Sequence, residues 1–169
     1  MSNSATGTRL PLIVKITPGS KANFWCDCRC GGYICVGLKH GWDEMGDLRQ
    51  YQDPTEYLDR FEKLYRETLK LYNKGITTRK ARELWTLRKL QAGDTVVAVE
   101  GTSQILGVGE VLDEGYQWRA ERSSHKHTVK VEWNTEKSGL ITPQRAWGFV
   151  SLCDVKRSVY DYEIVILKK

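Results

Sequence analysis

The sequence predicts an α+β fold, a small twisted and mostly antiparallel β-barrel flanked by helices, and three observations predict it. Helical periodicity is confined to the first half of the chain, whereas from Gly93 onward the apolar pattern alternates in strand-like fashion. Short strands, odd in number, around a compact core favour closure into a barrel. With 169 residues, 40% of them hydrophobic and 28% charged, the chain can bury one core and leaves little room for two. Residues 1–9 therefore read as a flexible leader and 10–169 as a single domain.

The elements follow in order. Leu10 to Thr17 is an apolar run with strand character, and Pro18-Gly19-Ser20 is a turn leading into a short helix over Asn23 to Cys30. Gly31-Gly32 stops that helix, and Tyr33 to Leu38 forms a second strand. Gly41 to Leu48, with two glycines and several acidic residues, reads as a structured loop. Asp53-Pro54-Thr55-Glu56 supplies an N-cap, a proline at the first helical position and a glutamate three residues after the cap. Tyr57, Phe61, Leu64, Tyr65, Thr68 and Tyr72 make that helix's apolar stripe, and Asn73-Lys74-Gly75 ends it. A second helix spans about Thr78 to Leu90, with Ala81, Leu84 and Trp85 on one side and Arg79, Lys80, Arg82, Arg88 and Lys89 mainly elsewhere. Thr95 to Val99 and Gln104 to Leu112 flank a Gly101 turn as a hairpin. His127, Val129, Val131 and Trp133 alternate with polar residues as a half-buried strand, and Tyr162 to Leu167 makes the last one.

Several functional classes find no support. No run of about 18 apolar residues could span a bilayer, and the polar leader lacks a signal peptide's apolar stretch, so a soluble, cytoplasmic protein is expected. Phosphate-binding loop, nucleophile-elbow, zinc-protease and dinucleotide fingerprints are missing, and Asp154-Val155-Lys156 is too short a triplet to mean a nuclease. The expectation is a non-catalytic chain without a cofactor. Cys26, Cys28, Cys30 and Cys35 crowd into ten residues with Cys153 far away, an odd total that fits reduced thiols. On a helical turn Cys26 and Cys30 share a face while Cys28 points away, so the sulfurs do not converge on a metal.

The tryptophans carry more information. Six are present, and Trp42 and Trp118 sit among glycines and charges where a purely core tryptophan is less expected; Trp85 and Trp133 lie on apolar faces and read as core. A base sandwiched between aromatic rings gains about 1–3 kcal/mol by stacking. Asp43 or Asp47 could accept a hydrogen bond from a ring or exocyclic N–H. Arg119, Arg122, Lys126 and Lys130 follow Trp118 closely and could hold the flanking phosphates, in keeping with 26 basic against 21 acidic residues. His125 and His127 read as solvated or phosphate-facing.

The order of motifs then carries a resemblance. Lys15-Ile16-Thr17-Pro18-Gly19, Phe24-Trp25, Gly32 to Gly37, Gly41-Trp42-Asp43-Glu44-Met45-Gly46-Asp47-Leu48, Ala92 to Val97, Ile105 to Gly109 and His127 to Trp133 together resemble the EVE-type domains of the PUA-like superfamily. The look is closest to the N-terminal domains of McrB-type restriction proteins, and the fold is similar to YTH domains, which read N6-methyladenine in RNA through an aromatic cage. The resemblance implies a PUA-like barrel with helices and a modified base flipped into a cage. Trp42 and Trp118 match cage positions, and Tyr116 and Trp25 are candidates to complete the pocket. Leu38-Lys39-His40 departs from the pattern as an insertion before Gly41-Trp42. The implied ligand is methylated DNA, with N6-methyladenine favoured over 5-methylcytosine. An AAA+ GTPase motor and a nuclease would lie on other domains or chains. A PUA/YTH-like reader of RNA and an ASCH-like RNA-modifying enzyme are the alternatives.

Overall fold

The computed structural model describes residues 9–37 and 41–167. Most of the expected leader (1–8) and the Leu38 to His40 departure lie outside them. The described chain is α+β, built on one mixed seven-stranded sheet. Its strands are β1 (Ile13–Ile16), β2 (Tyr33–Val36), β3 (Thr95–Glu100), β4 (Gln104–Trp118), β5 (His127–Asn134), β6 (Gly139–Leu140) and β7 (Leu152–Asp154). The order is β2-β5-β4-β3-β1-β7, with β6 paired to β4 off that path. Among the described residues only the β1–β3 pairing is parallel, and the other pairings are antiparallel.

The strand period of two divides the core. Val14, Ile16, Val96 and Ala98 face a large cluster shared with the helices, whereas Ile13, Val97 and Val99 face a smaller one with Ile105, Trp147, Val155 and Ile164. Buried on both faces, β1 and β3 read as nearly continuous apolar runs. Lys15 interrupts β1 on the face of Ile13 and is wholly buried.

The helices are α1 (Trp25–Gly31), α2 (Pro54–Lys63) and α3 (Lys74–Lys89). Gly32 closes α1 in the left-handed conformation, as a stop glycine does. Asp53 caps α2 through Thr55 N at 2.7 Å with Pro54 inside the first turn. Tyr57, Phe61, Leu64 and Tyr65 are buried as expected, but Thr68 is exposed, because α2 widens into a π-helical turn over Leu64–Thr68 and rotates the stripe. Asn73 corrects another expectation. Its side chain accepts from Ile76 N at 3.2 Å, so Asn73-Lys74-Gly75 opens α3 instead of closing α2.

The β3–β4 hairpin forms around Gly101 as expected. Its second strand runs on to Trp118, with a register break between Val111 and Tyr116 that carries Asp113 and Glu114 through the irregularity. Tyr162 to Leu167 is not a strand. A short helix, α4 (Arg157–Val159), continues into π-helical Tyr160–Ile164, burying Ile164 while Tyr162 and Ile166 stay exposed, and β7 is the last strand. No helix among the described residues is long and apolar enough to cross a membrane.

Candidate functional site

A cleft of about 570 Å³ opens where the Thr17–Lys21 turn, the end of β2, Trp42, α3 and the β3–β4 turn meet the strap 147–151. Its aromatic lining is Trp42, Trp147, Phe149 and His125. Trp42 begins a 3-10 turn (Trp42–Met45) held by left-handed Gly41, and only 1% of it is exposed. This corrects the expectation of an exposed loop tryptophan: the ring is part of the core and of the cleft wall at once. Burial pushes the Tyr65 hydroxyl up to about 12, reinforced by Glu83 and opposed by a hydrogen bond from Trp42. Trp147 is buried in a 3-10 turn (Arg145–Phe149), whereas Phe149 is 73% exposed.

His127 connects this wall to the sheet. Its Nε2 lies 2.7 Å from the Trp42 carbonyl and its Nδ1 2.8 Å from the Tyr116 hydroxyl, which also accepts from Leu48 N at 3.2 Å. Desolvation lowers the His127 pKa, against the pull of the Trp42 carbonyl, Asp43 and Asp47. His127 is thus a buried strut and not a solvated or phosphate-facing group. His125 is also buried, at positive φ (52°), with its ring 4.2 Å from Phe24. Desolvation lowers its pKa too, despite Asp43.

The remaining expected site residues do not gather at the cleft. Tyr116 is buried, with its hydroxyl committed to His127 and Leu48. Trp118 ends β4, stands outside the cleft lining, and packs 4.9 Å from the His127 ring. Trp25 meets Trp133 edge-on at 4.9 Å, across the open backbone of Gly107. Asp43 does not present its carboxylate to a ligand; it accepts from His125 N and Lys126 N, both at 2.9 Å, and so latches the 125–126 turn. Gly37 makes that latch possible, since a Cβ there would stand 2.4 Å from His125 Cα. Asp47 caps the Leu48–Gln50 turn and pairs with Arg49 at 2.7 Å, and hydrogen bonding from Arg49 depresses its pKa.

The four cations expected at phosphates are similarly occupied or dispersed. Arg119 bonds Glu121 at 2.6 Å. Arg122 donates to the Tyr33 hydroxyl at 2.6 Å and to the Ser124 and His125 carbonyls. Lys126 lies 5.8 Å over the Trp118 ring, and Lys130 sits across from Tyr33 in the β2–β5 ladder. Of the cysteines, Cys26 and Cys30 are exposed on α1, while Cys28 and Cys35 meet at 3.5 Å in the core.

Sequence reasoning missed Trp147, Phe149, Lys15, Lys80 and Glu83. Lys80 belongs to the basic residues expected mainly away from the Ala81, Leu84 and Trp85 side of the helix, yet it is buried against Glu83 at 3.0 Å. The available signals were a lysine inside an apolar strand and a Lys/Glu pair three residues apart on a helix.

Residues 14–144 match the model of a family described as a domain of unknown function, DUF8426. The matched span includes Lys15, Trp42, Lys80, Glu83 and His125 and stops short of Trp147 and Phe149. No curated protein and no solved structure matches the chain. With well over half of its length matched, the chain belongs to the DUF8426 family.

Proposed function

We propose that this protein is a non-catalytic nucleic-acid reader that takes a modified base, N6-methyladenine in DNA first among them, into the aromatic cleft. The observation that carries the reading is the cleft itself: about 570 Å³ bordered by Trp42, Trp147, Phe149 and His125. Binding sites are concave, mostly apolar and furnished with a few placed polar groups, and this lining has that character. Extruding a base costs a few kcal/mol, which stacking at about 1–3 kcal/mol per base and burial of the added methyl must offset.

In this reading the sheet is of the PUA-like, EVE-type kind, curved toward a barrel. Trp42, which the resemblance puts in the cage, is buried and backs the cage wall, and the exposed Phe149 ring is the one free to stack on a base. Trp147 and Phe149 replace Trp118, Tyr116 and Trp25 as the partners of Trp42. The protein acts in the cytoplasm as the specificity domain of a modification-dependent restriction system, with GTPase and nuclease functions on other domains or chains.

The test is a fluorescence-anisotropy panel of DNA and RNA oligonucleotides, with and without N6-methyladenine, at fixed salt. Methyl-dependent binding to DNA that is lost in Phe149→Ala supports the reading. Preference for RNA moves the protein to the RNA-reader class, and equal binding of plain and methylated strands refutes modified-base recognition.

A further inference from the structure

The cleft has a charged floor beneath its aromatic walls. Lys15 of β1 is wholly buried, and its ammonium donates to Thr17 Oγ1 at 3.2 Å, to the Trp147 carbonyl at 3.1 Å and to the Val150 carbonyl. Lys80 of α3 lines the cleft directly and donates to the two Glu83 carboxylate oxygens at 3.0 and 3.3 Å. Glu83 Oε2 also accepts from Ser151 N at 3.0 Å and Leu152 N at 3.4 Å. The Glu83 carboxylate therefore pairs with one ammonium, that of Lys80, and accepts from two amides, while Lys15 feels it only through space, and all three charged side chains are less than a tenth exposed.

The balance of charge follows from this arrangement. Lys21 and Glu100 also line the cleft at its exposed rim; opposite in sign, they add no net charge to it, and the Lys21 ammonium faces water as a donor a ligand could engage. The buried trio is left with one positive charge in excess. Buried charge is screened little by salt and costs free energy unless it is compensated. Lys15 registers the shortage: desolvation, with Lys80 adding to it and Cys153 and Glu83 opposing, lowers its pKa to about 8. An ammonium has three donors, and among the described residues Lys80 directs its hydrogen bonds to Glu83 alone.

We propose that the floor of the cleft is an anion subsite, in which Lys80, assisted by Lys21 at the rim, binds a phosphate group of the ligand. The proposal deepens the base-reading function by giving the nucleotide a second anchor, and it moves phosphate recognition away from Arg119 and Arg122. An incoming oxyanion supplies the countercharge that Glu83 alone cannot.

The test titrates inorganic phosphate into the full chain at fixed ionic strength while the lysine side-chain signals are followed by NMR. Lys80 signals shift saturably, and the Lys15 pKa rises from about 8, because added negative charge favours the ammonium. Lys80→Gln weakens phosphate binding about tenfold or more, Lys80→Arg retains it, and Lys21→Ala weakens it severalfold without touching the floor. Deoxyadenosine 5′-monophosphate binding more tightly than deoxyadenosine identifies a free nucleotide as one source. A methylated oligonucleotide that competes with phosphate identifies the phosphodiester.

Phosphate that leaves the Lys15 titration unchanged overturns the proposal. If Lys80→Gln fails to fold, the Lys15 titration and Lys21→Ala decide alone. Phosphate binding without any base-bearing ligand removes the base-reading function and leaves the subsite standing. A methylated oligonucleotide that binds Lys80→Gln and Lys21→Ala at full strength does the reverse.

Discussion

Two neighbourhoods of this chain place aromatic rings beside cations, and they use them in opposite ways. At the end of β4, Trp118, Tyr33, Arg119, Arg122 and Lys126 are committed to one another: Lys126 stands over Trp118, both guanidiniums lie near the Tyr33 ring, and Arg119 pairs with Glu121. At the cleft, Phe149 is exposed beside the buried rings of Trp42 and Trp147, and the cations Lys15 and Lys80 are buried nearby, Lys80 paired with Glu83. The residue types are alike, but the unfilled volume is not. A ring that meets another side chain contributes stability, whereas a ring that borders a cleft can exchange water for a ligand.

The largest expected effect tests whether the cleft wall is also core. Trp42→Ala lowers the unfolding free energy by about 3–5 kcal/mol in a urea titration, the range for emptying a buried aromatic site. Half-buried Trp118→Ala costs less than half of that, and equal losses at the two positions would erase the distinction.

Next comes the strut between the two neighbourhoods. His127→Ala leaves the Trp42 carbonyl and the Tyr116 hydroxyl short of a partner and costs roughly 1–3 kcal/mol for each buried group so stranded. The same residue sets an acid dependence. In the unfolded chain the imidazole takes its proton near 6.5, while the folded site resists protonation, so the unfolded state binds more protons as the pH falls. Stability contributed by His127 is therefore present above about 6.5 and declines on acidification below it. His125 acts in the same direction. Thermal melts from pH 7 to 5 show the decline, and removing His127 flattens it.

Phe149→Ala separates recognition from folding. The side chain is 73% exposed, so stability changes within about 0.5 kcal/mol, while a stacked ligand loses roughly 1–3 kcal/mol of affinity. The smallest effect belongs to Arg119→Ala. Its pair with Glu121 is solvent-exposed and screened, so stability barely changes, and oligonucleotide affinity at fixed salt changes less than it does in Phe149→Ala. A larger loss at Arg119 returns phosphate binding to the β4 end.

Local chemistry made much of the fold legible. The Asp53-Pro54 cap, the Gly32 stop, the Gly101 hairpin and the alternation of His127 to Trp133 all act over a few residues, and each stands where the sequence places it. The misreadings share a different cause. Tyr162 to Leu167 is apolar enough for a strand, but the way Ile164 meets the second core cluster decides its helical form. Asn73 suits a stop or a cap equally well, and only the following helix selects between them. Trp42 looked exposed because its neighbours are polar, yet those neighbours turn outward or latch other loops.

The sequence by itself determined the α+β class and most of the elements of this protein, because caps, turns and periodicity are short-range properties. Tertiary structure alone decided which aromatics share a space: Trp147 and Phe149 reach Trp42 across more than a hundred residues, while Trp118 is turned into the sheet's own packing. It also decided that Lys15, Lys80 and Glu83 are buried together, since the cost of burying charge is met only when distant segments supply its partners.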